Sequence, residues 1–250
     1  MAEEMNETQV LFQERQNTGT AWTHNKEFDK NGYFIVKDLW DPDELYHPVP
    51  EQRGQFTYWG KNIDQFQAVD TERQVPGSCS RYWHPQYRKV HTGVRKKLEK
   101  YLNRKLYNTY YYDRYYFPGQ ELTKHNDRAA CEISVSIHIS TNLPDNLKDW
   151  EFKIKTPDTY TDKKKKDTIL VPGEERALVL NPGDGIIYSG CDRPHWRDAM
   201  PGESKQTLMK KRNKIFGKKD IPEEYYYHQI FFHYVLQDGE RAHCAWDRAR

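Results

Sequence analysis

The ten residues "CEISVSIHIS", 131 to 140, alternate strictly between apolar and polar side chains. Such a run places Ile133, Val135, Ile137 and Ile139 on one face of a strand and Glu132, Ser134, Ser136 and His138 on the other. It is the densest of a series. "YNTYYYDRYYF" (107–117) is β-prone throughout, and "DWEFKIKT", "DTILV", "ALVL", "GIIYSG" and "YHQIFFHYV" follow, separated by turn signals such as Pro172-Gly173 and Asn181-Pro182-Gly183-Asp184. Six or more short strands so spaced predict a mainly β domain with flanking helices, an antiparallel barrel or sandwich beginning at about residue 107.

Upstream the period changes. In "YRKVHTGVRKKLEKYLNRKL" (87–106), Val90, Val94, Leu98 and Leu102 recur every four residues with basic residues around them, which predicts a helix packed outside the barrel by that stripe. "FDKNGYFIVKDLWDPDEL" predicts a turn at Asn31-Gly32, a strand over Tyr33–Val36, and a helix start with Asp41 as N-cap and Pro42 at its first position. Residues 51–83, with scattered Gly, Pro and aromatics, read as irregular. Residues 1–25 lack an apolar period and read as a loosely ordered arm, leaving 26–250 as a single domain. "DKKKKD" (162–167) reads as a solvated loop.

Composition excludes some classes. No apolar run approaches the roughly 20 residues that span a bilayer, and a net charge of +2 gives no strong nucleic-acid signal. The four cysteines, Cys79, Cys131, Cys191 and Cys244, form no CxxC pair and read as buried, reduced thiols. The acidic, polar first residues do not read as a secretory signal, so the expected location is the cytoplasm.

"YFPGQELTKHNDRAACEISV" carries His125 and Asp127 two positions apart, which on a strand puts both on one face about 6.5–7 Å apart at Cα. His-x-Asp alone is a weak signal. "LVLNPGDGIIYSGCDRPHWRD" brings His195 from a distant strand, and three such groups form the two-histidine, one-carboxylate face that holds Fe(II) with its other positions open. Tyr116 to Asp127, "YFPGQELTKHND", resembles the Tyr-x-x-Gly-Gln-x-Tyr-x-x-His-x-Asp block of the prolyl 4-hydroxylase-like Fe(II)/2-oxoglutarate-dependent dioxygenases, and "LNPGDGIIYSG…H" is similar to their second block. The resemblance covers roughly residues 28–247. It also extends to oxygenases of tailed bacteriophages, in which case the cytoplasm would be that of a host.

That resemblance implies a double-stranded β-helix, a cupin-like jelly-roll barrel, with His125, Asp127 and His195 as metal ligands. It implies Fe(II) as cofactor, with 2-oxoglutarate and O2 as co-substrates. The implied reaction hydroxylates an unactivated C–H bond while 2-oxoglutarate becomes succinate and CO2. The substrate class is a peptide, with prolyl residues nearest the resemblance, or a small molecule such as a metabolite or nucleobase. A non-catalytic cupin-like binding protein is the alternative. Leu122 stands where the family often has a second Tyr, and the Gly-Gly-x-Thr block is missing. For the far carboxylate of 2-oxoglutarate, family spacing points to Lys205, but the polar segment 205–224 reads as an insertion. Arg197, sharing a face with His195, is therefore preferred, with Gln229 and His233 behind it. Tyr116 and Tyr112 (or Tyr110) are candidate hydroxyl contacts to 2-oxoglutarate, and Arg128 and Trp196 candidate substrate contacts. His138, His228 and His243 read as structural or lining residues.

Overall fold

In a computed structural model, residues 23–58, 66–70, 72–163, 167–204, 207 and 223–246 are described. Most of the expected arm, Lys205 and most of the expected insertion lie outside them. Two helices flank the first strand: α1 (Lys26–Asn31) and α2 (Pro42–Leu45) around β1 (Tyr33–Val36). Thr23 is buried and Asn25 caps α1, accepting from the Glu27 and Phe28 amides. Gly32 ends α1 at φ 75°, a left-handed turn that suits glycine. Asp41 caps α2 through the Asp43 amide, with Pro42 opening the helix.

Residues 51–83 are not irregular. They contain β2 (Gly54–Tyr58), β3 (Phe66–Asp70) and β4 (Cys79–Tyr82). β4 pairs antiparallel with the next strand of the sheet, and β2 joins β4 in a parallel pair. Tertiary pairing, not local pattern, makes these strands. The long helix α3 spans Tyr87–Leu102 and stops at Asn103, which takes the left-handed conformation at φ 49°.

The remaining strands are β5 (Leu106–Tyr116), β6 (Leu122–His125), β7 (Ile133–Thr141), β8 (Phe152–Lys155), β9 (Thr159–Lys163), β10 (Asp167–Val171), β11 (Glu175–Leu178), β12 (Gly185–Tyr188), β13 (His195–Arg197) and β14 (Tyr227–Leu236). The larger sheet runs β1-β12-β7-β14-β5-β4-β2-β3 and the smaller β11-β8-β13-β6, with β9 and β10 paired separately. From β5 onward the chain passes between the two sheets, so that β5, β7, β12 and β14 stand in one and β6, β8, β11 and β13 in the other. That strand order is a double-stranded β-helix.

The larger sheet is apolar outside and polar inside. On its outer face Ile133, Val135, Ile137, Ile139, Ile230 and Phe232 pack against Val90, Val94, Leu98 and Leu102 of α3. Val94, Leu98 and Leu102 are fully enclosed. The inner face carries Ser134, Ser136 and His138 of β7, all buried. Also on the outer face, fully buried Asp113 accepts from Arg81, from Tyr87 Oη at 3.2 Å and from His228 Nε2 at 2.7 Å, tying β4, α3, β5 and β14 together. Burial alone would raise the Asp113 pKa, but Arg81 and His228 outweigh it and hold the carboxyl below its usual range. The four cysteines are free, with Cys79 and Cys131 buried and Cys191 and Cys244 partly exposed, not all enclosed as expected. Among the described residues no helix is long and apolar enough to cross a membrane.

Leu98 sits at the centre of the interface between α3 and the sheet. Leu98→Ala is expected to lower the unfolding free energy by about 2–5 kcal/mol, measured by urea denaturation. An unchanged midpoint would contradict this packing.

Candidate metal site and anion pocket

β6 and β13 are neighbours in the smaller sheet, and their register sets His125 directly opposite His195. The two imidazole centroids lie 4.4 Å apart. His125 Nδ1 donates to the Thr123 carbonyl at 2.7 Å and His195 Nδ1 to the Arg193 carbonyl at 2.9 Å. Each ring thereby commits its Nδ1 proton to the backbone two residues earlier and leaves the Nε2 lone pair for a ligand.

Asp127 reaches the same point by a different route from the one expected. It is not on the strand with His125, because β6 ends at His125 and Asp127 lies in the following loop. The loop is drawn across to the next segment by the Asp127 amide, which donates to the Gly190 carbonyl at 2.9 Å. Asp127 Oδ1 stands 3.4 Å from His125 Nε2 and 3.6 Å from His195 Nε2. Its other oxygen accepts from Ser134 Oγ at 3.1 Å. Burial would raise the Asp127 pKa, but the two histidines beside it hold the carboxyl well below the usual range. Burial would likewise lower the His125 pKa, yet Asp127 raises it. A cation placed between the three would take over the carboxylate's contacts to the two rings. The side is open to a ligand at His125 and Asp127, whose side chains are 23% and 14% exposed, while His195 is 2% exposed.

A second convergence shares the carboxylate: Asp127, Cys131 and His233. Burial pushes the Cys131 thiol well above its ordinary value, and Tyr110 Oη lies 3.2 Å from its sulfur. Cys131 would have to lose its proton to ligate, against that burial, whereas two imidazoles already face the carboxylate, so the two-histidine set is the better metal site. His233 has another part. Burial lowers its pKa to about 4, and its Nδ1 meets Ser134 Oγ at 3.0 Å. Neutral His233 can thus donate into Ser134, whose single proton goes on to Asp127.

Arg197 lies two residues past His195 on the same inward face and is 1% exposed. It donates to the Trp150 carbonyl at 2.7 Å and to Gln229 Oε1 at 2.9 Å, and its guanidinium lies 4.5 Å from the Trp150 ring and 4.7 Å from that of Tyr227. Among the described residues no carboxylate stands within ion-pair distance of it, and its Nε and the Gln229 Nε2 are buried donors without a partner. A buried cation lacking a counter-charge costs several kcal/mol. This pocket fits a carboxylate.

Tyr116 adjoins the pocket, its ring 5.1 Å from Trp150 and its hydroxyl 3.4 Å from Arg114. Tyr112 instead stacks between Tyr82 and Phe231, at 4.7 and 4.6 Å. Leu122, opposite Arg197 in the register, packs with Val75, Tyr116, Trp150 and Tyr227. His138 stacks on Tyr227 at 4.1 Å, donates Nδ1 to the Leu180 carbonyl, and is depressed by burial to about 4, so it lines the interior as a neutral ring. Trp196 does not face the pocket. Alternation along β13 turns it to the outer side between buried His195 and Arg197, under the Lys124 ammonium at 4.2 Å. Arg128 lies over the Tyr110 ring at 4.4 Å. His228 belongs to the Asp113 network, and His243 is exposed.

Sequence reasoning missed Gly190 and Ser134. Ser134 was open to view in the alternating run, on the face that turned inward. The need for glycine at 190 is spatial and leaves no local signal. A Cβ there would meet Ser134 Oγ, Asp127 Oδ2 at 2.5 Å and the Cys131 carbonyl at 2.6 Å.

No protein-family model and no curated protein matches this chain. Solved structures do. The chain is similar to a prolyl-4-hydroxylase from Pseudomonas putida, with 11% identity over 84% of this chain and 96% of that one, TM-score 0.48. It is similar to a prolyl hydroxylase from Trichoplax adhaerens in complex with a hypoxia inducible factor peptide fragment, with 12% identity over 96% and 97%, TM-score 0.48. HygX from Streptomyces hygroscopicus, with nickel and 2-oxoglutarate bound, aligns at 10% or less, here 9%, over 82% and 84%, TM-score 0.46. Independently of these scores, it is the strand order that makes this chain a double-stranded β-helix.

Gly190→Ala is expected to push the Asp127 carboxylate out of line and weaken divalent-metal binding by about 10- to 100-fold, with little change in circular dichroism. Titration calorimetry with Ni(II) measures it. Wild-type affinity in the variant would contradict the placement of Asp127.

Proposed function

We propose that this chain is an Fe(II)- and 2-oxoglutarate-dependent dioxygenase, formed as a single domain over residues 26–250, that hydroxylates an unactivated C–H bond. One observation carries the reading. Two imidazoles and one carboxylate converge with an open side, and the strand that supplies His195 also bears a buried arginine with no carboxylate among the described residues within ion-pair distance. Tetrahedral zinc sites more often recruit a third histidine or a cysteine, whereas this set suits Fe(II).

His125, Asp127 and His195 hold the metal. Their Nδ1–carbonyl bonds and the Ser134 bond to Asp127 keep the three donors aimed without rearrangement. Arg197 and the free Gln229 amide receive the far carboxylate of 2-oxoglutarate, and Tyr227, Trp150 and Phe152 around the guanidinium exclude water and strengthen that contact. When bound, the iron and 2-oxoglutarate supply the oxidising power, as 2-oxoglutarate is converted with O2 to succinate and CO2. The protein contributes orientation and a dry wall. The substrate is a peptide, with prolyl residues the leading class, or a small molecule, approaching from the exposed side of His125 and Asp127. Arg128, over Tyr110 beside the metal loop, is the candidate substrate contact.

Anaerobically loaded Fe(II) protein, supplied with O2, is expected to convert 2-oxoglutarate to succinate even without substrate. Arg197→Ala is expected to raise the 2-oxoglutarate concentration required by roughly 100-fold or more, taking ~3 kcal/mol for a buried charge-paired contact, while leaving Fe(II) affinity nearly unchanged. Lys205→Ala is expected to do little. The opposite ranking would move the anchor to Lys205, and no succinate under any condition would refute the reaction.

A further inference from the structure

The net charge of +2 hides a strong asymmetry. Eight of the 39 Lys and Arg fall within residues 87–106, against one of the 37 Asp and Glu, so these twenty residues carry +7 and the remaining 230 carry −5. Most of that stretch is α3. Its one acid, Glu99, is taken up by Arg95 at 3.7 Å and by Lys105 at 3.4 Å, and Lys97 is drawn aside over the Trp40 ring at 4.7 Å. Arg88, Lys89, Lys96 and Lys100 are exposed, and among the described residues no carboxylate stands within ion-pair distance of them. At 3.6 residues per turn, Lys89, Lys96 and Lys100 fall within about 40° of one another, in a row opposite the buried Val94 and Leu98.

The rest of the helix narrows what such a row can receive. Its apolar stripe is spent against the larger sheet, so α3 has no apolar side to lay into a bilayer surface. The outward residues Arg88, Lys89, Thr92, Lys96 and Lys100 include no large apolar or aromatic side chain to anchor a protein partner. What remains is a line of positive charge on a rigid rod about 24 Å long. Its complement is a line of phosphates, which a duplex presents at about one charge per 1.7 Å of axis. We propose that the exposed face of α3 is a docking surface for the phosphate backbone of double-stranded nucleic acid, bound without regard to sequence. The helix covers the outer side of the larger sheet, whereas His125 and His195 stand in the smaller one, so this surface is separate from the metal site and does not depend on it.

Fluorescence anisotropy of a labelled DNA duplex of about 20 base pairs, titrated with the full chain, tests the proposal. Micromolar binding is expected at about 50 mM salt, weakening roughly 100-fold by about 200 mM, as four phosphate contacts give a slope near −3.6 in log affinity against log salt. Lys89→Glu/Lys96→Glu/Lys100→Glu is expected to abolish binding, and the milder Lys89→Gln/Lys96→Gln/Lys100→Gln to weaken it by roughly 10-fold or more at the lower salt. Circular dichroism, expected to be unchanged, checks that both variants fold. No binding by the wild type at the lower salt overturns the proposal. So does equal binding by the wild type and the Gln variant, which would place the contact on another basic segment. Binding to phosphatidylserine vesicles but not to the duplex would make the face a membrane contact and overturns it as well.

Discussion

The pairing of β6 with β13 is the contact on which the site depends. β6 has four residues and β13 three, and within that short ladder His125 faces His195 while Leu122 faces Arg197. One strand pair therefore places the two imidazoles of the candidate metal site together and sets a cation two residues deeper. A slip of β13 by one residue would turn His195 and Arg197 to the outer side, because side chains alternate across a sheet. β8, on the other flank of β13, pins the same register through His195 opposite Ile154. Asp127 is added by a loop drawn onto Gly190, so the carboxylate is placed by a backbone hydrogen bond and by the space a missing side chain leaves.

The larger sheet divides its labour between its faces. Its outer face buries the apolar stripe of β7 and β14 under α3 and so supplies stability. Freed from that task, the inner face carries serines, histidines, Gln229 and tyrosines. Several of their polar atoms, including Ser136 Oγ, His138 Nε2 and Gln229 Nε2, have no partner among the described residues. Buried polar groups are ordinarily satisfied, so such an inner wall suits a polar guest better than a hydrocarbon one. The aromatic rings around Arg197 serve the same end, since Trp150, Tyr227 and Phe152 surround the guanidinium where no carboxylate of the described residues reaches it.

Much of this was legible in the sequence where a period or a spacing carried it. The alternation of 131–140, the Val90-to-Leu102 stripe and the Asp41-Pro42 helix start all reflect local rules, and the structure follows them. The convergence of His125, Asp127 and His195 was legible as residue types and spacing, although Asp127 reached its place from a loop instead of the strand. What stayed hidden depends on distant approach. β2 and β4 form a parallel pair on the edge of a sheet whose centre lies elsewhere in the chain, and no local pattern announces it. Gly190 matters because of what stands next to it in space. Trp196 was misplaced by attending to its neighbour in sequence, although the two-residue period that put Arg197 beside His195 also turns Trp196 away.

The most direct test of the metal centre is the absorption spectrum of the protein titrated with Co(II) under anaerobic conditions. One Co(II) per chain is expected, with the weak bands of a five- or six-coordinate ion bound by nitrogen and oxygen, and a change in those bands when 2-oxoglutarate is added. A strong sulfur-to-metal band would instead place the ion at Cys131, and failure to bind Co(II) at all would contradict the account outright.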